Sequence, residues 1–153
     1  MVELFDELKA VVGALDDAAI PCALVGGMAY SIWVETRATE DIDLLVMPED
    51  WPRIGEVLAP LGYRELAAPM DFKTVRIRRL TKLKDSDAIV LDFLLADGAL
   101  ARGVTDRVIL KRGAQTYALA PPEVIIALKR GRMSAKDQSD IEGLENLIRE
   151  ARQ

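Results

Sequence analysis

The sequence predicts an α+β fold: a mixed β-sheet flanked by helices, with two C-terminal helices packed across it. Three observations predict it. Residues 21–46 read as strand, Gly-Gly break, helix and strand in quick succession. Residues 72–80 alternate and 88–96 are almost wholly apolar, giving two more strands around a turn. Helical apolar stripes occupy both ends of the chain. At 153 residues, half of them hydrophobic, the expectation is one domain over 1–153 with a real core.

Each element follows from local pattern. Leu4, Phe5, Leu8, Val11, Val12 and Leu15 form one helical face within residues 2–18. Residues 21–25 are a short apolar strand, Gly26-Gly27 breaks it, and 28–34 are long enough for about two helical turns. After a polar link at 37–40, residues 41–46 are a second strand. Pro48-Glu49-Asp50 starts a helix over 51–59, closed by Pro60-Leu61-Gly62. Residues 62–66 begin another strand, and 69–71 break the chain again. In 72–80, Val75 and Ile77 face one way and Arg76 and Arg78 the other, which reads as a half-exposed strand. Lys84-Asp85-Ser86-Asp87 is a hairpin turn into 88–96, a central strand by its apolar content. Residues 104–119 hold a strand pair broken at Lys111-Arg112-Gly113. Pro121-Pro122-Glu123 opens a helix, since proline is tolerated in a first turn, and Lys129, Arg130 and Arg132 suit the dipole near its end. Ser134-Ala135-Lys136-Asp137 reads as a capping box for a last helix running to about Arg149.

The chemistry concentrates in residues 25–44. Asp41 and Asp43 are two apart on a strand, so they share a face while Ile42 and Leu44 turn to the core. Two carboxylates about 6 Å apart repel by roughly 3 kcal/mol at an effective dielectric near 20. A hard divalent cation such as Mg²⁺ reverses that sign. Gly26 and Gly27, just before a helix, let the backbone approach a phosphate, and free N–H groups and the helix dipole favour the anion. Acid pair and glycine turn together suggest a nucleoside triphosphate site. Asp92 lies in the middle of the apolar run 88–96, where a charge needs a partner, a metal or a proton; pairing with an arginine is the plain structural alternative. The basic cluster Lys73, Arg76, Arg78, Arg79, Lys82 and Lys84 reads either as a solvated face or as contact with phosphates of a nucleotide or an RNA acceptor.

Val25-Gly26-Gly27 followed by Asp41-Ile42-Asp43-Leu44 resembles the signature of the polymerase-β-like nucleotidyltransferase superfamily. The run from Arg37 to Leu44 looks most like its small prokaryotic members, the minimal nucleotidyltransferases and AbiEii-like toxins. Residues 120–141 are similar to the C-terminal segment of the AbiEii-like group, though the longer helical region of the larger toxins is missing. The resemblance implies two-metal transfer of an NMP from an NTP to a hydroxyl on tRNA, protein or a small molecule. It implies Mg²⁺ or Mn²⁺ on Asp41, Asp43 and the third carboxylate Asp92, with Asp92 also helping to deprotonate the acceptor. It implies a nucleotide held by Gly26, Gly27 and Arg37, and charge neutralisation by Arg37 or Lys129. It further implies an RNA or protein acceptor, a toxin–antitoxin or defence setting and an antitoxin-like protein partner. Two rivals stay open: a catalytically silent module on the same fold, and another metal-dependent transferase, such as a glycosyltransferase, that also uses Asp-x-Asp.

Composition narrows the chemistry. The sequence has no histidine, which removes Ser-His-Asp and Cys-His catalysis and His-ligated zinc. Cys22 is the single cysteine, so no internal disulfide forms. Apolar runs are short and interrupted by charge, so no membrane partner is expected. The acidic start, Met1 to Glu7, lacks the basic region of a secretion signal, and a cytoplasmic location is the expectation. A net charge of −5 argues against a broad nucleic-acid footprint.

Overall fold

A computed structural model describes residues 4–33, 41–72, 74–85, 87–130 and 135–152. Helix α1 (Leu4–Asp17) leads into β1 (Cys22–Val25), and α2 (Gly26–Trp33) follows at once. Strand β2 (Asp41–Val46) is followed by α3 (Trp51–Leu58), then β3 (Met70–Asp71), β4 (Arg76–Lys84) and β5 (Asp87–Leu95). A 3₁₀ turn, Gly98–Ala101, runs into the short α4 (Arg102–Thr105). The hairpin β6 (Val108–Arg112) and β7 (Gln115–Leu119) precedes α5 (Pro122–Arg130) and α6 (Ala135–Ala151).

The seven strands make one mixed sheet in the order β3-β4-β5-β2-β1-β7-β6. β2 runs parallel to β5, and β1 parallel to β7; the other neighbours are antiparallel. Period-two alternation divides the sheet's residues between two faces. Ile42, Leu44, Leu91 and Phe93 are buried on the side of α1 and α3, where the Trp51 and Phe93 rings meet at 5.6 Å between centroids. Asp43, Leu45 and Asp92 belong to the side covered by α2, α4, α5 and α6. Gly103 in α4 sits so close to Leu45 and Val124 that a Cβ would collide with Leu45, which fixes a glycine there.

The expected α+β sheet with two C-terminal helices is present, with four local corrections. Residues 62–66 form no strand: Arg64 makes one isolated bridge to Thr81, because Gly62 (φ +97°) and the preceding 3₁₀ turn swing the chain away from a regular ladder. Residues 70–71, expected to be a break, pair with Ile77 and Arg76 at the sheet edge. The strand expected at 72–80 starts at Arg76 and runs to Lys84, lengthened by its nine-residue pairing with β5. The helical turn at 98–105 carries no helical stripe long enough to read and was not expected. The Ser134–Asp137 capping box lies outside the described side chains. No described helix is long and apolar enough to cross a membrane.

Candidate active site

Strand pairing draws one residue from each of four strands into a line. β1 on β2 sets Val25 beside Asp43; β2 on β5 sets Asp43 beside Asp92; β4 on β5 sets Asp92 beside Arg79. Asp41 is on the same face as Asp43, one pleat away. Helix α5 brings Ile125, Leu128 and Lys129 over this face. Together with Phe72, Val75, Ile77 and Leu94 these residues line a cavity of about 340 Å³. Asp41 is exposed, Asp43 half-buried and Asp92 buried.

Glycine at the β1–α2 junction has a local cause. Gly26 takes φ +73°, and a Cβ there would overlap the Asp43 carboxylate. A side chain would therefore be both strained and in the way of the acid. Gly27 follows in the first turn of α2. The turn and the acid strand are thus one unit: the backbone leaves β1 where Asp43 needs room. Arg37, expected to bind nucleotide, lies outside the described residues.

Asp92 meets a partner that strand alternation alone did not name. The Arg79 guanidinium forks onto it, Nε donating to Oδ1 at 2.7 Å and Nη2 to Oδ2 at 3.1 Å. Those hydrogen bonds to Asp92, with the fields of Asp92, Asp41 and Asp43, outweigh burial and hold the Arg79 pKa above its ordinary value. The hairpin holds the signal for this pair. Counting back from Lys84 opposite Asp87 across the turn puts Arg79 opposite Asp92.

Three more cations of the basic cluster are paired with acids. Arg76 pairs with Asp97 at 2.8 Å, Arg78 with Glu65 at 2.8 Å, and Lys82 with Glu7 at 3.0 Å. With Arg79, four of these cations sit in ion pairs within the fold, and the Arg76 pair remains solvent-exposed; Lys73 lies outside the described residues. Lys129 lines the cavity, but its ammonium sits 2.7 Å from Asp140 Oδ2 and 5.8 Å from the centre of the Tyr30 ring. Both charges are buried, at 4% and 0% exposure.

Among the described residues lining this cavity, Asp41, Asp43 and Asp92 offer carboxylate oxygens, the donor type a hard divalent cation takes. Among the described residues no three acidic, cysteine or histidine side chains are gathered tightly enough to hold a metal by themselves. Asp41 and Asp43 share a face and a cavity, and Gly26 clears space for Asp43; this pair fits such a cation. Both oxygens of Asp92 are engaged by Arg79.

The chain has the nucleotidyltransferase fold. It superposes on the lincosamide antibiotic adenylyltransferase LnuA, solved with lincomycin, with a TM-score of 0.67 at 14% identity, covering 93% of this chain and 96% of that one. Against ANT(2'')-Ia in complex with adenylyl-2''-tobramycin the TM-score is 0.64 at 18% identity, over 91% and 86% of the two chains. Against a Thermotoga maritima protein assigned as a nucleotidyltransferase it is 0.59 at 11% identity, over 95% and 92%. No family model and no curated protein sequence matches the chain.

Proposed function

We propose that this protein is a metal-dependent nucleotidyltransferase that moves an NMP from an NTP to a hydroxyl of a small molecule. The observation that carries this reading is the single line across the sheet: the glycine turn, Asp43 and Asp92 in register, and Asp41 beside them, in one cavity of the nucleotidyltransferase fold. Asp41 and Asp43 would hold Mg²⁺ or Mn²⁺ with the triphosphate. Bound there, the cation polarises the phosphoryl group and lowers the barrier to displacement of pyrophosphate. Gly26 and Gly27 let the α2 N-terminus approach the phosphates, where its N–H groups and dipole favour negative charge. Asp92 takes up the proton of the acceptor hydroxyl. Lys129, held by Asp140, fixes a positive charge beside the site. No histidine is required by any of these roles.

A small acceptor is favoured over RNA because Arg76, Arg78, Arg79 and Lys82 are each committed to an acid within the fold. The similar structures carry small antibiotics, lincomycin and an adenylylated tobramycin, in the same fold. The test is incubation with each labelled NTP and Mg²⁺ against a panel of hydroxyl-bearing small molecules, tRNA and protein. Acceptor-dependent pyrophosphate release with labelled small-molecule product is expected. Product on tRNA or protein alone would overturn the acceptor class, and no product with any NTP would favour a silent module on this fold.

A further inference from the structure

Four cations on β4 meet acids, but only one of those acids belongs to the proposed site. Arg76, Arg78 and Lys82 reach Asp97, Glu65 and Glu7, all away from the cavity acids. Arg79 reaches Asp92, in register with Asp43. Its fork takes one lone pair on each Asp92 oxygen and sets a positive charge against the carboxylate that a cation would approach. The Arg79 side chain is nonetheless 35% exposed, against 11% for Asp92, so the guanidinium borders solvent while its acid does not.

An arginine in that position does two opposed things. Without a metal, it neutralises one of three carboxylates that would otherwise repel one another. With a metal, it competes for the same oxygens and adds a like charge beside a divalent ion. A guanidinium stays charged in either state and matches phosphate as well as carboxylate in geometry. Resting on the nucleotidyltransferase reading, we propose that Arg79 is a resident counter-ion of the acid site: it gives up Asp92 as the divalent cation enters, and its freed guanidinium then engages an oxygen of the triphosphate. The exchange lets one buried carboxylate be paired in both states. It also ties completion of the three-acid site to nucleotide binding, since the released charge gains a new partner only when phosphate is present.

The test uses two titrations on the full chain. Mn²⁺ alone, followed by electron paramagnetic resonance, is expected to bind Arg79→Gln at least about fivefold more tightly than wild type, because a competing charge is gone. The Mn²⁺ complexes of α,β-methylene nucleoside triphosphates are expected to bind the same variant about tenfold more weakly, the loss of a charge-assisted contact. Opposite signs are the signature. Changes of the same sign, or none, overturn the exchange and leave Arg79 as a fixed support of Asp92. Wild type that binds the Mn²⁺–nucleotide analogue while Arg79→Gln behaves identically retains the nucleotidyltransferase reading and removes only the role of Arg79. Wild type that binds neither Mn²⁺ nor analogue removes both. A readout on the unaltered protein covers the case of an unfolded variant: the Arg79 Nε–H resonance, identified by its loss in Arg79→Lys, should move saturably with Mg²⁺. A resonance that stays fixed through saturation overturns the proposal.

Discussion

Two ion pairs of the same kind stand on either side of the cavity, and they differ in burial. Arg79 and Asp92 meet where β4 and β5 face the open cavity, with 35% and 11% of their side chains exposed. Lys129 and Asp140 meet between α5 and α6, at 5% and 0%. In the first pair the arginine borders solvent and has somewhere to go, while Asp92 is buried. The second is sealed, and neither charge can find water if the other leaves. A buried pair can be worth less than apolar packing, yet losing one partner from it is severe. The same chemistry therefore serves as an exchangeable contact on one side and as a fixed joint between helices on the other.

The widest gap between the pairs should appear in stability. Lys129→Met strands the Asp140 carboxylate in the core and is expected to destabilise the fold by about 3–5 kcal/mol in urea unfolding. Adding Asp140→Leu should recover most of that loss, since two apolar residues can replace a sealed pair. Arg79→Gln, at the cavity, keeps an amide donor near Asp92 and should cost less, about 1–3 kcal/mol. Equal losses at both sites would erase the distinction.

Activity should separate them the other way. Asp41→Asn, Asp43→Asn and Asp92→Asn are each expected to lower transfer at least about a hundredfold, the range for removing one electrostatic contributor. Combining Asp41→Asn with Asp43→Asn should add little, because one loss already disables the unit. Asp43→Asn should leave the melting temperature of the free protein unchanged or slightly raised. It should also abolish the rise that Mg²⁺ with NTP gives wild type, since only a ligand bound to the folded state stabilises it. Product formation by the double variant, or an intact Mg²⁺–NTP shift in Asp43→Asn, would break the assignment.

How much of this the sequence carries differs between the pairs too. The helical and strand periods place α1, β2, α3, β5, α5 and α6, and strand alternation puts Asp41 and Asp43 on one face; Asp92 stands out as an acid inside an apolar run, and only the resemblance sets it beside that pair. The Arg79–Asp92 contact needed one step more, the register counted from the hairpin turn; Asp85 takes φ +56° there, and Lys84 lies opposite Asp87. Lys129–Asp140 depends on how two helices pack, which no local period encodes, so an end-of-helix cation and a capping segment were all that could be read. The α4 turn and the two-residue β3 were missed because they are held by the sheet around them rather than by their own pattern.

A third pair lies between these extremes and sharpens the scale. Glu7 of α1 accepts hydrogen bonds from Lys82 Nζ at 3.0 Å and from the Tyr63 hydroxyl at 2.8 Å, tying the helix to β4. Burial works to raise the Glu7 pKa, but the Lys82 and Tyr63 hydrogen bonds and the charges of Lys82 and Lys84 together hold it below the ordinary value of 4.5. Burial and the Glu7 hydrogen bond push the Tyr63 hydroxyl up, so it remains a donor at neutral pH. A carboxylate depressed on folding stabilises the protein fully above its unfolded pKa and loses that contribution as pH falls through the folded pKa. The Glu7 contribution is therefore fully present above about pH 4.5 and is lost progressively as pH falls from there through the lowered folded-state pKa. Glu7→Gln should lower stability at pH 7 by about 1 kcal/mol, the scale of a half-buried pair, and flatten the acid limb of the stability curve. The α1 tie is far from the cavity acids, so the variant should leave Mn²⁺ affinity untouched while Arg79→Gln changes it. Urea unfolding between pH 3 and 7, with Mn²⁺ titration at pH 7, measures both. An acid limb as steep as that of wild type would mean the Glu7 contact contributes nothing, and a changed Mn²⁺ affinity would mean that α1 and the cavity are coupled.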